Sequence, residues 1–427
     1  MNYFSLNKSS PKASFKQAVV NGIAPDRGLY YPESITPLSQ DFIDHISEYS
    51  NEEIAFEVIK QFIGDEIPAE KLKEIIKKTI SFEFPVVTIE KNIGSLELYH
   101  GPTMAFKDVG ARFMSQCLEY FNQDNKEDIT VLVATSGDTG GAVANGFLNA
   151  KGIQVVILYP SGKVSDIQEK QLTTLGNNIT ALEVGGVFDD CQEMVKSAFL
   201  DQEISRKLTS ANSINVARWL PQMFYFFFAY KQVSAKHRDI VFSVPSGNFG
   251  NICAGLLAQK LGLPVKHFIA STNINDTVPQ YLVNGIYSPK PSKATISNAM
   301  DVGNPSNFIR IQELFQNNLT QLKASFSSFS FSDHETKEMM KDIYNKFNYI
   351  SEPHGAIGYL GLKKHSLHED EFGIFLETAH PVKFLEVVEA TLPISVEIPS
   401  QIKKVMNKEK AAIQIASYKE LKTFLNS

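Results

Sequence analysis

At 427 residues the chain is longer than a single compact core sustains, so it divides into two or three domains. Hydrophobic content of 43% beside 21% charged residues describes an ordinary globular protein, and a net charge of −6 without any basic tract argues against nucleic acid as a partner. Cys117, Cys191 and Cys253 lie far apart with no paired spacing, which excludes a disulfide framework or a cysteine-based zinc site and fits a reducing compartment.

Residues 1 to about 90 read as a unit of their own, turn-rich at Ala24-Pro-Asp-Arg-Gly28 and Tyr31-Pro32 and helical afterwards. The opening Met1 to Ser10 lacks an apolar core of signal-peptide length, and no stretch approaches the roughly 20 apolar residues of a membrane span, so a cytoplasmic protein with no membrane partner is expected. Ser50-Asn-Glu-Glu53 is a capping-box pattern ahead of Ile54, Ala55, Val58, Ile59 and Phe62, and predicts a helix start. Ser95 to Tyr99 alternates like a strand and is punctuated by Gly101-Pro102. Apolar residues then recur at Phe106, Phe113, Met114, Cys117 and Phe121 with helical spacing, which puts Lys107 at the start of a helix. There the positive end of the helix dipole favours a neutral amine, the form that attacks a carbonyl to make a Schiff base. The plainer reading is a solvated lysine.

From Ile129 strand and helix alternate: Ile129 to Thr135, a helix through Ala142 to Ala150, Ile153 to Tyr159, another helix, then Ile179 to Val184. This βαβ order implies a parallel sheet and an α/β fold. Met223 to Tyr230 is the richest apolar run and is too short for a membrane, so it reads as a buried helix or a subunit interface. Ile240 to Val244, Val265 to Ser271 and Gly373 to Thr378 imply a second α/β layer. Asn273 to Phe308 reads as an extended loop region, and the Lys-rich stretch from Gln401 as a closing helix.

Ligands of parallel sheets bind beyond the carboxyl ends of the strands. Three strands end there in small polar residues: Ser136-Gly137-Asp138-Thr139-Gly140-Gly141, Ser246-Gly247-Asn248-Phe249-Gly250, and Thr378-Ala-His380-Pro. The second precedes the helix Ala254 to Leu261, so its backbone N–H groups make an anion cradle or an ordinary turn, and no nucleotide P-loop or dinucleotide motif is present. The first can hold a carboxylate or phosphate, or simply cap its helix through Asp138 or Thr139. Thr378 offers one neutral hydroxyl to a ring nitrogen or to its own sheet. An amine, a phosphate cradle and a ring partner are together the requirements of pyridoxal 5'-phosphate.

These residues, in order, resemble the threonine synthase family, within the fold type II pyridoxal-phosphate enzymes. The resemblance runs from Asp26-Arg-Gly-Leu-Tyr30 through His100-Gly-Pro-Thr-Met-Ala-Phe-Lys-Asp108, Thr135-Ser-Gly-Asp-Thr-Gly140, Ser210-Ala-Asn-Ser-Ile-Asn215, Ser246-Gly-Asn-Phe-Gly250 and Asn298-Ala-Met-Asp301. It ends at Ser351-Glu-Pro-His354 and Thr378-Ala-His-Pro381. It implies a fold type II architecture of large and small parallel-sheet domains plus a helical N-terminal domain. The units would be 1–90, a catalytic region 91–400 with its small βαβ domain at about 110–235, and a helical segment 401–427. It further implies that Lys107 carries the cofactor and moves protons, and that Gly247, Asn248, Phe249 and Gly250 hold its phosphate while Thr378 faces the ring nitrogen. Thr135, Ser136, Gly137 and Thr139 would bind the substrate carboxylate, and Arg218, Asn212 and Ser213 the leaving phosphate. Apart from the family, Arg218 reads as a surface helix residue, and Arg112 is a weaker phosphate candidate or half of an ion pair with Asp108. Asp138 would repel the cofactor's ring oxyanion unless one of the two is protonated. His100, His354 and His380 are expected as hydrogen-bonding neighbours, with no metal. The implied reaction converts O-phosphohomoserine and water to threonine and phosphate in a monomer or homodimer, with the 129 to 184 unit closing over the site. The alternatives are a phospholyase releasing a 2-oxo acid, and a non-catalytic ligand-binding relative.

Overall fold

The computed structural model describes residues 1–125, 127–235 and 239–427. The N-terminal unit is not wholly helical: β1 (Asn2–Ser5), β2 (Ala13–Ser14) and β3 (Tyr30–Pro32) make an antiparallel sheet in the order β2-β1-β3. Strands this short carry no readable alternation. The Asp26-Arg-Gly turn fixes their approach, since the Asp26 carboxylate accepts from the Ser5 hydroxyl at 2.5 Å, from Ser9 N–H at 2.9 Å and from Gly28 N–H at 3.0 Å. A Cβ on Gly28 would meet Ser5 Oγ at 2.0 Å, so only glycine closes this turn. The predicted capping box forms: Ser50 Oγ accepts from Glu53 N–H at 3.2 Å, and the Glu53 carboxylate accepts from Ser50 N–H at 2.7 Å. The helix it starts, Asn51–Ile63, buries Ile54, Val58, Ile59 and Phe62 completely. Those side chains join the same apolar cluster as Phe113, Trp219 and Phe224, so this unit shares its core with the rest of the chain.

The rest of the chain holds two further sheets. One comprises β4 (Val86–Glu90) and β5 (Ile93–Glu97), and the other begins with β6 (Ile129–Ala134), β7 (Ile153–Pro160), β8 (Ile179–Val184) and β9 (Lys207–Ser210). The chain then returns to the first sheet with β10 (Asp239–Pro245), β11 (His267–Thr272), β12 (Phe326–Ser330) and β13 (Glu371–Glu377), and finally adds β14 (Ile413–Ile415) to the second. The larger sheet has the order β12-β11-β10-β13-β5-β4, parallel except for the β4–β5 hairpin. The smaller has the order β14-β8-β7-β6-β9 and is parallel throughout. β6, β13 and nearly all of β10 are buried along their length, which is why they read as unbroken apolar runs.

Leu220–Met223 and the helix Phe224–Val233 confirm the buried-helix reading of the apolar run, with Phe226 edge-on to Phe242 at 5.2 Å and to Phe268 at 5.7 Å. Two expectations need correction. The 273 to 308 stretch is not one loop but contains the helix Thr277–Asn284 and the single turn Asn298–Met300, tied by the Asp301 carboxylate to Thr295 Oγ at 2.7 Å and Asn273 Nδ2 at 2.9 Å. The C-terminal stretch is helix Ser400–Met406, then β14, then helix Tyr418–Asn426, because three residues of strand are invisible beside lysine-rich helical spacing until β8 offers them an edge.

Candidate active site

Lys107 is placed by two strand ends. β5 and β13 run in parallel with Glu97 opposite Glu377, and the pairing continues past both: Leu98 N–H donates to Glu377 O at 2.9 Å, Ala105 bridges Ala379, Phe106 N–H donates to Thr378 O at 2.9 Å and His380 N–H to Met104 O at 3.0 Å. Thr378 is thus stitched to the residue before Lys107, where the helix Lys107–Asn122 begins. Met104 takes a left-handed φ of +59° to make the turn. Asp108 is buried and occupied, accepting from the N–H of Thr103 at 2.9 Å and from its hydroxyl, so the expected Asp108–Arg112 pair does not form. Arg112 instead donates to Lys78 O and to Ser81 Oγ at 3.0 Å, which ties the helix to the N-terminal unit and removes Arg112 as a phosphate candidate.

The Lys107 amine makes no ion pair among the described residues; Nζ lies 5.5 Å from the ring centre of Phe106. Burial pushes its ammonium below the usual lysine range; Asp138 pulls the other way, while Lys383 and Arg218 reinforce the shift. Desolvation therefore does what the helix dipole alone was expected to do.

The cradle follows β10. Phe249 holds a left-handed φ of +60° at the N-terminus of the helix Gly250–Lys260, and its buried ring packs edge-on to Phe308 at 5.8 Å. A non-glycine residue in that region costs roughly 1–2 kcal/mol and persists where the surroundings enforce it, and a left-handed residue at a helix start is a backbone form from which anion nests are built. Gly247 is needed for close approach: a Cβ would stand 2.6 Å from Met300 Cα. The Asn248 side chain is spent on the scaffold, accepting from Ser306 N–H at 2.6 Å and donating to Ser213 Oγ at 3.0 Å, so its backbone is what remains for a ligand. Behind it Arg310, fully buried and without a carboxylate partner among the described residues, donates to Asn307 Oδ1 at 2.7 Å and to the carbonyls of Tyr30 and Ile214 at 3.0 and 2.6 Å.

On the smaller sheet, the Thr135 hydroxyl accepts from Gly137 N–H at 3.0 Å and Gly140 N–H at 2.8 Å and donates to Gly137 O at 3.1 Å. Its capacity is used up in shaping the loop. Gly137, at φ +143°, faces Gln168, whose Oε1 a Cβ would meet at 2.4 Å, and Ser136 and Thr139 stay half-buried on the loop. Asp138 is buried with an ion-pair partner: Lys383 Nζ lies 2.7 Å from Oδ1, and Gln168 Nε2 donates to the same oxygen at 3.0 Å. Burial pushes this carboxyl up, yet Lys383 and Lys107 outweigh it and hold it well below the usual range. The charge that made Asp138 an awkward neighbour for an oxyanion is thus already balanced.

Arg218 is not a surface residue. It is 3% exposed, Nη1 donates to Ala211 O, Nε has no partner, and no carboxylate lies within ion-pair distance among the described residues. Burial pushes its pKa down to about 10, which leaves it a cation at neutral pH. It packs one turn beyond Lys107, where a Cβ on Gly110 would meet Arg218 O at 2.5 Å. Asn212 Nδ2 reaches Ala134 O at 3.5 Å, and Ser213 Oγ links Arg218's segment to Asn248 and Asn307. His354 Nδ1 sits 2.5 Å from the buried Glu352 carboxylate, His100 Nε2 lies 2.8 Å from Glu97, and His380 packs on Tyr99. No group of three or more metal-ligating side chains occurs among the described residues. A cavity of about 440 Å³ lined by Ser14, Phe121 and Lys207 shares no residue with this site. Sequence reasoning missed Lys383 and Arg310. Lys383 stands only two residues beyond the Thr378-Ala-His-Pro381 motif, but Arg310 sits in an unremarkable helix with no signal.

The Lys107 amine, without an ion pair among the described residues at a helix start, the glycine-bearing turn at a second helix start, and Thr378, whose carbonyl accepts from the residue before Lys107, are residue types that suit the aldehyde, phosphate and ring nitrogen of pyridoxal phosphate. The profile described as "Threonine synthase N terminus" matches residues 2–80, "Pyridoxal-phosphate dependent enzyme" matches 95–375 and "Threonine synthase, C-terminal" matches 355–425. Threonine synthase of Escherichia coli (strain K12) is 45% identical over 405 residues, covering 94% of each chain. The crystal structure of an E. coli threonine synthase superposes with a TM-score of 0.94 at 43% identity, covering 100% of this chain and 99% of that one. The PLP-bound threonine synthase of Brucella melitensis superposes with a TM-score of 0.93 at 32% identity, with the same coverage. With the matching profiles and the whole-chain relatives in agreement, the chain belongs to the threonine synthase family of pyridoxal-phosphate-dependent lyases.

Proposed function

We propose that the chain converts O-phosphohomoserine and water into L-threonine and phosphate. The bound cofactor supplies an electron sink for the charge left when protons are removed from the substrate carbons. Lys107 is the amine that holds the cofactor and then moves those protons, a role that suits an ammonium already weakened by burial. The backbone of Gly247, Asn248, Phe249 and Gly250 receives the cofactor phosphate, and Thr378 gives the ring nitrogen a neutral partner. Ser136, Gly137 and Thr139 bind the substrate carboxylate, with Thr135 shaping their loop. Arg218, supported by Asn212 and Ser213, takes the leaving phosphate.

The supporting observation is Arg218: an enclosed guanidinium near Lys107 with an unsatisfied Nε and no carboxylate within ion-pair distance among the described residues suits an anionic ligand. Two phosphates call for two receptors, and in this reading the Gly247–Gly250 turn serves one while Arg218 serves the other. In this reading the large domain is built on the sheet of β4, β5 and β10–β13, the small domain on the sheet of β6–β9 and β14, and the N-terminal unit stands beside them. Three free, buried cysteines support a cytoplasmic setting.

The test is a steady-state assay with O-phosphohomoserine that identifies the amino-acid product. Threonine with one equivalent of phosphate is expected; 2-oxobutyrate with ammonia would make the chain a phospholyase. Wild type should show an absorbance band near about 410 nm that is lost in Lys107→Ala, and no band in folded wild type would refute the role of Lys107.

A further inference from the structure

The site holds two enclosed lysines, Lys107 and Lys383, and among the described residues Asp138 is the one carboxylate in ion-pair contact with either. Lys383, on the turn Pro381–Phe384 after β13, is 1% exposed; its ammonium pairs with Asp138 at 2.7 Å and donates to Thr103 O at 2.9 Å. Asp138 opens the helix after β6, so the pair crosses from the turn after a strand of the larger sheet to the smaller sheet, and both of its charges act on Lys107. We propose that Lys383 is a positioning residue that claims the Asp138 carboxylate and so leaves the Lys107 amine without an ion-pair partner, ready to take an aldehyde.

The other charges facing Lys107 do not alter this. Glu352 is committed to His354, accepting its N–H at 2.9 Å with Nδ1 at 2.5 Å, and to Gly355 N–H at 3.2 Å. Asp108, next to it on its own helix, is held by Thr103. Arg218 is a cation and favours the neutral amine. Asp138 is the remaining anion, and Lys383 is what occupies it. If Lys383 is removed, Asp138 becomes a buried carboxylate without a cation, and Lys107 is the nearest ammonium that can neutralise it. A new carboxylate–ammonium contact raises an amine's titration midpoint by roughly 1–3 pH units, so the reactive fraction of Lys107 at neutral pH falls roughly tenfold or more.

This inference rests on Lys107 as the cofactor-bearing amine, and its test is separable from that reading because no cofactor or substrate enters. The cofactor-free full-length chain is reductively methylated with formaldehyde across a pH series, and modification of the Lys107 peptide is followed by mass spectrometry. Lys383→Met should move the midpoint up by about one unit or more, Lys383→Arg should leave it in place, and Lys383→Met with Asp138→Asn should return it to or below the wild-type value. A packing role for Lys383 would give no such return. An unchanged midpoint in K383M, or a double variant no lower than K383M, overturns the proposal. Should K383M not fold, Asp138→Asn decides: its midpoint must fall, and a value equal to or above wild type overturns the proposal equally.

Discussion

Gly247→Ala isolates the cradle from the rest of the site. The added methyl would stand 2.6 Å from Met300 Cα and 3.1 Å from the Ala299 carbonyl, against an ordinary carbon–carbon separation of about 3.5–4.0 Å. Both neighbours are backbone, and their segment is pinned by Met300 N–H to Ser297 O at 2.9 Å and by the Asp301 carboxylate to Thr295 and Asn273, so it cannot swing aside as a side chain would. Relief needs a shift of about 1 Å in the turn, a strain of about 1–3 kcal/mol. Such a shift also misaligns the N–H groups meant for the cofactor phosphate, each charge-assisted bond being worth about 1.5–3 kcal/mol. Losing one of them predicts a fall in cofactor affinity of roughly 10- to 150-fold. The assay is an absorbance titration of cofactor-free protein with pyridoxal phosphate, alongside thermal melting. Gly185→Ala, where a Cβ meets nothing within 4 Å, is the matched control and should bind normally. If G247A takes up cofactor with wild-type affinity, Gly247 does not belong to the phosphate receptor and the cradle must be sought elsewhere.

Arg218→Met should separate stability from function. Removing an enclosed, unpaired guanidinium relieves about 1–3 kcal/mol of desolvation, so the cofactor-free protein melts at a higher temperature while kcat/KM for phosphate release drops roughly 30-fold or more; a variant that loses stability and keeps its activity would contradict the assignment. His267, whose ring stacks on His365 at 4.9 Å, has its pKa lowered to about 4 by burial and by His365. Below its unfolded value of 6.5 the unfolded chain takes up a proton that the folded chain refuses, so stability declines as pH falls from 6.5 towards 4. Melting curves across that range should show the decline, and His267→Asn should make it shallower; an identical slope in the variant would rule out His267 as its source.

The parts of the site that were readable before any coordinates are those carried by local chemistry. Lys107, Ser246–Gly250 and Ser136–Gly141 each sit where a strand pattern gives way to a helical one, and such breaks survive in one dimension. Arg218 was misread without its family because exposure is not local: the helix Val216–Trp219 gives no periodicity from which to infer that the guanidinium is enclosed. The partner of Asp138 was not legible, since Lys383 lies on the turn after β13 of the other sheet and ion pairs between such distant segments have no sequence spacing. β1, β2 and β14 failed for a related reason: strands of two to four residues are defined by the edge they find.

The β5–β13 pairing has a consequence for biosynthesis. Lys107 leaves the ribosome early, but the strand that seats it spans 371–377, near the other end of the chain. Until that strand has emerged and threaded between β10 and β5, the middle of the larger sheet is missing and two of its edges stand open. A nascent or truncated polypeptide ending before 371 therefore has its amine but no seat for it, and must pass through a slow, non-local closure during which those edges are exposed to other chains.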